Sequence, residues 1–223
     1  MEWVDLSALK EVSRERWWLP VSDFLTNEAL QTLTQDFPSI DLFDHQPHRN
    51  LGVTYNGRWV LDSVKHAAKM DLIPESWRKF RAYLSDPNGP YYKEVSQKLG
   101  IEFDVRFEWH QSEAGFEIGP HTDNPRKWAT HILYFHSVND WDARWGGETL
   151  VLLGNKGDEF TPNYEDFREQ VSIPFLGNKS FFLITKPDSY HAVKKLCTPP
   201  GIFRKTLNII LLNKVQTPEM CMR

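Results

Sequence analysis

The chain is poor in cysteine, with Cys197 and Cys221 alone among 223 residues. They show neither the C-x-x-C spacing of a zinc site nor the density of a disulfide scaffold, and two reduced thiols fit a reducing, cytoplasmic setting. Long apolar runs are missing as well. No stretch of about 18 apolar residues exists, so no membrane-spanning helix is expected. The opening residues Met1-Glu2-Trp3-Val4-Asp5 are acidic and lack the apolar centre of a secretory signal. Basic blocks are also absent. Lys and Arg number 26 against 30 Asp and Glu, a net charge of −4, and the densest basic group is Lys194, Lys195, Arg204 and Lys205, with the lysines expected in solvent. Nucleic acid is therefore not an expected partner. Internal repeats and low-complexity segments are absent too, which excludes solenoids and disordered tails as the organising theme.

What is present is a core-forming composition. Aromatics make up 13% of residues, nine of them Trp, and 25% are charged. A chain of this length buries most of its apolar surface without staples, and it is read as a single domain, 1–223. Texture changes near residue 100. Before it lies a helical and mixed support region, 1–100. Thr26 is placed to cap a helix over Asn27 to Phe37. Pro74 precedes Glu75 to Leu84, where Trp77, Phe80 and Leu84 recur at helical spacing, and Tyr91 to Leu99 is a further short helix ended by Gly100. After it, in 101–215, strand-like runs alternate with turn residues: Phe103 to Trp109, Ala129 to Phe135, Glu148 to Leu153, Ser180 to Thr185, Tyr190 to Lys194 and Thr206 to Leu212. Many short strands with irregular connections predict a mainly β sandwich or jelly roll, with the N-terminal helices bracing one face, an α+β arrangement.

One constellation carries chemistry. In His121-Thr122-Asp123, side chains two apart on an extended segment point the same way, so His121 and Asp123 reach one metal while Thr122 turns aside. His191 follows in a later strand-like piece. Two imidazoles and one carboxylate occupying one face of an octahedral ion, with the other face open, are the ligand set of non-haem Fe(II) oxygenases. Alone, a His-x-Asp pair is common in surface turns, and a lone histidine is often a core residue. The remaining histidines offer less. His45 and His48 sit in a polar loop, His66 falls in an expected helix, and His131 and His136 are an odd number apart and face opposite ways. His110 closes a strand before the triad loop, where a cavity-lining role and a packing role stay open.

The run Arg204-Lys205-Thr206-Leu207-Asn208-Ile209 reads as a strand. Arg204 and Thr206 share one face, with Leu207 and Ile209 on the other. A guanidinium holds a carboxylate through two parallel hydrogen bonds, and a hydroxyl beside it adds a third, which suits the far carboxylate of a 2-oxoglutarate co-substrate. Lys205, the rival anchor, faces away. Tyr134 is placed to donate to the same carboxylate, with packing plus an unrelated hydrogen bond as the alternative.

Taken together, these residues resemble the prolyl 4-hydroxylase-like branch of the 2-oxoglutarate and Fe(II) dioxygenases. The likeness runs from Glu102 to Leu212. It includes the lead-in Gly115 to Pro120, the loop His121-Thr122-Asp123-Asn124-Pro125, the Tyr134 strand, the block Trp141-Asp142-Ala143-Arg144-Trp145-Gly146-Gly147-Glu148, and Ser180 to Ile184 followed by His191-Ala192-Val193. The resemblance implies a double-stranded β-helix, His121, Asp123 and His191 as iron ligands, and 2-oxoglutarate on Arg204, Thr206 and Tyr134, with O2 as second co-substrate. The substrate it implies is a prolyl residue of a peptide, a free amino acid or another small molecule. Two departures stand out. Arg204 follows His191 at a distance that requires an inserted loop at Pro199-Pro200-Gly201. Trp109, His110 and Gln111 stand where the family often has a Tyr. A non-catalytic, cupin-like metal-binding jelly roll is the competing reading. The loop Asn155 to Tyr164 is either an entrance element or a solvated insertion, and Trp17-Trp18-Leu19 is either a contact patch or buried.

Overall fold

The structure is a computed structural model that describes residues 1–47, 49–50, 54–55, 57–136, 140–156 and 162–214. His48, Cys221 and 157–161 of the loop named above lie outside the described residues. The three expected helices form at their signals. Helix α1 (Asn27–Gln35) starts where the Thr26 hydroxyl accepts from the Ala29 amide at 3.2 Å, which satisfies one of the amides the first turn leaves unpaired. Helix α2 (Glu75–Ser85) buries Trp77, Phe80 and Leu84. Helix α3 (Pro90–Leu99) has proline in its first turn and ends on Gly100 at φ 61°, a left-handed cap that glycine adopts without strain.

Among the described residues there are thirteen strands, in chain order: β1 (Trp18–Ser22), β2 (Asp44–Gln46), β3 (Arg49–Asn50), β4 (Thr54–Tyr55), β5 (Arg58–Asp62), β6 (Phe103–Ser112), β7 (Ile118–His121), β8 (Lys127–Tyr134), β9 (Thr149–Leu153), β10 (Glu169–Ile173), β11 (Lys179–Ile184), β12 (His191–Val193) and β13 (Arg204–Asn213). They make two antiparallel sheets. The major sheet has the order β1-β11-β8-β13-β6-β5-β2 and the minor sheet β10-β9-β12-β7-β4-β3. Every strand-like run of the sequence is among them. The strands that alternation did not mark are short or at edges. Pro20 interrupts β1, Gly119 and Pro120 interrupt β7, and β10 opens on Glu169-Gln170. Such segments owe their extended form to a neighbour's ladder rather than to their own pattern.

The sheet faces divide the core. On the outer face of the major sheet, Phe107 and Trp109 of β6, Leu133 of β8, Phe182 of β11, and Leu207 and Ile209 of β13 pack with the helices in the larger apolar cluster. Trp77 is central there, with edge-on contacts to Phe37, Trp109 and Phe135. A second cluster lies between the sheets and joins Tyr134, Phe181 and Leu183 to Ile118, Val151 and Val193. Trp17 and Trp18 are half-buried against the core and Leu19 is buried, so that segment packs within the chain. His66 is not helical. It follows β5, is buried, accepts from the Asp62 amide through Nδ1 at 2.9 Å and meets Asp44 at 2.9 Å through Nε2. Among the described residues no helix is long and apolar enough to cross a membrane.

His131 is the polar exception on the helix-facing side. It is fully buried, with Nε2 at 2.9 Å from the Ser180 hydroxyl and Nδ1 at 3.4 Å from the Tyr91 hydroxyl. Burial pushes its imidazole down from 6.5 to about 3. The unfolded ring takes up a proton near pH 6.5 and the folded ring does not, so the stability from keeping it neutral is complete above that pH. It is lost as pH falls towards the folded value. The expected outcome is that acidification from about pH 6.5 to about 5.5 costs His131→Gln about 1 kcal/mol less than it costs the parent. Urea denaturation at the two pH values checks this, and equal losses would show that His131 does not titrate on unfolding.

Candidate active site

The site is built on the pairing of β7 with β12. That ladder sets His121 directly opposite His191, with ring centroids 4.2 Å apart. Asp123 stands two residues past His121, just beyond the end of β7. One donor atom from each of His121, Asp123 and His191 lies within 4.8 Å of the others. Backbone carbonyls fix both rings. Nδ1 of His121 is 2.9 Å from the Gly119 carbonyl oxygen and Nδ1 of His191 is 3.0 Å from that of Ser189. A carbonyl only accepts, so Nδ1 carries the proton in each and Nε2 keeps its lone pair.

Electrostatics agree with that tautomer. Burial, with His191 as neighbour, pushes His121 down to about 3, and burial lowers His191 as well. Burial alone would raise the Asp123 carboxyl, but the Lys127 ammonium beside it holds it below the usual carboxylate range. At neutral pH the cluster therefore offers two uncharged imidazoles and one carboxylate. These are the protonation states that divalent metal ligands require, reached with no proton to remove.

At the other end of the same cavity is Arg204, whose guanidinium is buried and pushed down to about 10 by that burial. Its Nε donates to the Gly147 carbonyl at 2.9 Å, and its guanidinium lies 4.6 Å from the Phe175 ring centroid and 5.5 Å from that of Tyr134. Aromatic faces hold a cation in place when water is excluded. The turn Gly146-Gly147 makes room for this packing. At Gly147, with φ 81°, a Cβ would come within 2.6 Å of Leu196 Cδ2 and 3.2 Å of Arg204 Cδ; at Gly146, with φ 77°, within 2.2 Å of the Lys195 carbonyl oxygen. Lys205 faces the opposite way, over the Phe37 ring. Thr206 shares the Arg204 face, and its Oγ1 is buried with no hydrogen-bond partner among the described residues; the same holds for Oδ1 of Asn208. Both residues line the cavity. Buried polar atoms without partners are costly, so this wall is shaped for a polar ligand. The Tyr134 hydroxyl sits 2.7 Å from the Thr149 hydroxyl, and Thr149 is the one of the pair that lines the cavity.

His110 also lines the cavity, opposite Thr206 in the β6–β13 ladder. Its Nε2 is 3.2 Å from Glu108 Oε2, and burial pushes it down to about 4. Burial raises Glu108, but His110, Lys127 and Arg106 hold it near 2, and Arg106 reaches it at 2.7 Å. Sequence reasoning missed Glu108, Lys127, Thr130, Asn208, Thr149 and Phe175. Asn208 was legible, since it lies on the Arg204–Thr206 face two residues further on. Thr149 and Phe175 had no local signal, because their contacts arise only when the sheets stack.

Neither a family model nor a curated protein sequence matches the chain. Solved structures do. A Pseudomonas putida prolyl-4-hydroxylase is similar at a TM-score of 0.65 and 14% identity, over 94% of this chain and 97% of that one. A prolyl hydroxylase from Trichoplax adhaerens, in complex with a hypoxia inducible factor oxygen degradation domain peptide fragment, is similar at 0.52 and 12% identity, over 94% and 87%. The non-haem alpha-ketoglutarate-dependent epimerase SnoN from nogalamycin biosynthesis is similar at 0.59 and 12% identity, over 94% and 82%. The two facing antiparallel sheets with helices on one side are thus the jelly-roll, double-stranded β-helix fold that 2-oxoglutarate and Fe(II) oxygenases share.

Proposed function

We propose that this chain is an Fe(II)- and 2-oxoglutarate-dependent dioxygenase that hydroxylates an aliphatic carbon, with release of succinate and CO2. The observation that carries the proposal is the pairing, in one cavity, of an open three-ligand cluster with a buried arginine and a partnerless hydroxyl. His121, Asp123 and His191 would hold the metal. Arg204 would receive the far carboxylate of 2-oxoglutarate, Thr206 would donate its hydroxyl to it, and Tyr134 would support the arginine through its ring. A metal-binding module without turnover, cupin-like or otherwise, has no use for that carboxylate anchor.

When bound, Fe(II) with 2-oxoglutarate and O2 supplies the oxidising chemistry, and the protein supplies orientation, charge and dryness. Arg204 fixes one end of the keto acid so that its other end is directed towards the cluster. Its own approach is set by Gly147 and by the aromatic faces of Phe175 and Tyr134. Ile118, Ile132 and Val193 give the cavity apolar walls, which keep water from the reacting carbon. Arg58, Glu108, His110 and Asn208, all on strands of the major sheet, add polar groups to the cavity lining. Such a lining supports a compact polar substrate, a prolyl residue of a peptide or an amino-acid-like small molecule.

Four outcomes are expected. Adding Fe(II) and then 2-oxoglutarate without oxygen gives a visible charge-transfer band in the parent. Asp123→Ala gives no band and no succinate release, and normal turnover by that variant would remove Asp123 from the ligand set. Arg204→Ala needs at least about thirtyfold more 2-oxoglutarate to develop the band, because removing one partner of a buried charge pair costs roughly 2–5 kcal/mol. Phe175→Ala needs about tenfold more, in line with a desolvated cation–π contact, with Fe(II) affinity unchanged. A loss of Fe(II) affinity in that variant would mean that Phe175 supports the whole cavity rather than the arginine.

A further inference from the structure

Asp123 has more partners than a metal ligand needs. Its Oδ1 is 2.9 Å from the Lys127 ammonium, and its Oδ2 accepts from the Thr130 hydroxyl at 3.2 Å. Both oxygens are therefore engaged before any cation arrives between the imidazoles.

Two local features aim Lys127 at this carboxylate. The first is the turn Asn124-Pro125-Arg126-Lys127, closed by the Lys127 amide on the Asn124 carbonyl at 2.9 Å and by the Arg126 amide on the Asn124 side chain at 2.9 Å. It folds the chain back so that residue 127 lies over residue 123. The second is an irregularity in β8. Leu211 pairs with Ala129 and Leu212 with Lys127, so Trp128 is the extra residue of a bulge. Strict alternation would put Lys127 on the helix-facing side with Ala129 and His131. The bulge shifts the phase and brings Lys127 to the cavity wall together with Thr130.

We infer that Lys127 is the resident counter-ion of the metal-free centre, exchanged for the divalent cation when the centre is loaded; this rests on the metal-site reading above. The physical reason is charge. The two imidazoles offer lone pairs and no charge, so without metal the buried carboxylate depends on Lys127 for compensation, and a buried charge without a partner is strongly unfavourable. A dication among the three ligand atoms supplies that compensation itself and repels the ammonium. The two side chains differ in what they can do next. That of Asp123 is 12% exposed and that of Lys127 25%, so the lysine has a route to water and the aspartate stays. Lys127 thus compensates the carboxylate when no metal is bound, and it lowers the affinity for metal.

The test is a Mn(II) titration of the full chain followed by electron paramagnetic resonance, in the parent and in Lys127→Met, Lys127→Arg and Asp123→Ala. Lys127→Met is expected to bind Mn(II) about tenfold more tightly, as removal of an adjacent positive charge requires, and to melt lower than the parent when metal-free but not when loaded. Lys127→Arg stays close to the parent. Equal or weaker Mn(II) binding by folded Lys127→Met overturns the inference, because the lysine would then only orient the carboxylate. If Lys127→Met does not fold without metal, the parent alone decides. Acylation of Lys127, read by peptide mass spectrometry, rises on Mn(II) loading if the exchange occurs, and an unchanged or lower yield overturns it. A parent that binds no Mn(II), or binds it equally well as Asp123→Ala, would instead overturn the metal site.

Discussion

The pairing of β7 with β12 is the constraint on which the rest of the site depends. Because side chains alternate along a strand, the register that sets His121 against His191 is the one that puts both imidazoles on the inner face of the minor sheet. A slip of one residue would turn one ring outwards and leave Asp123 beside a single imidazole. The Gly119 and Ser189 carbonyls then settle the tautomers, so geometry and protonation come from the same ladder. β7 is short and irregular, and its neighbours β12 and β4 hold it in place. The sheet, not the segment's own propensity, keeps the ligands in register.

The long central strand β13 connects this site to the stability of the molecule. Leu207, Ile209 and Leu211 point into the helix-backed core, while Arg204, Thr206 and Asn208 point into the cavity. The apolar face anchors the strand against α2 and α3, and the polar face can then carry a desolvated guanidinium and hydrogen-bonding atoms without partners. Such groups are tolerated only on a rigid support, since each raises the free energy of the folded state until a ligand meets it. The helices contribute no residue to the cavity lining. They cover one side of the sheet whose other side forms its wall, which is why residues far from the cavity, such as Trp77 and His131, bear on whether the cavity exists.

Charge organises the cavity from end to end. Arg204 lies at one end. Glu108 is held between Arg106 and His110 on the major-sheet wall, and Asp123 lies between Lys127 and Thr130 beside the imidazoles. Each buried carboxylate has a cation in contact, and the arginine that has no carboxylate lies on aromatic faces instead. The cavity histidines His110, His121 and His191 are pushed below their ordinary value by burial and stay neutral. Arg58 lines the cavity as well and adds its positive charge to that of Arg204, and the cluster of His121, Asp123 and His191 already holds two neutral imidazoles and one carboxylate.

Much of this was legible in the chain. The helix caps at Thr26 and Gly100 depend on one or two neighbours, and so does the His-x-Asp spacing. The shared face of Arg204 and Thr206 needs only the two-residue period of a strand, and the helix-facing apolar stripes need only the helical period. Local rules therefore determined the secondary structure of the long elements, the β-rich jelly-roll class and the candidate ligands. Tertiary structure decided the remainder. The strands β1, β7 and β10 exist because a neighbour pairs with them. Phe175 and Thr149 reach Arg204 and Tyr134 only once the two sheets stack. Lys127 faces the cavity because a bulge at Trp128 breaks the alternation that would have turned it to the helices. The physical reason is the same in each case: the deciding contact lies between residues far apart in sequence, or in a change of strand phase, and no periodicity along the chain encodes either.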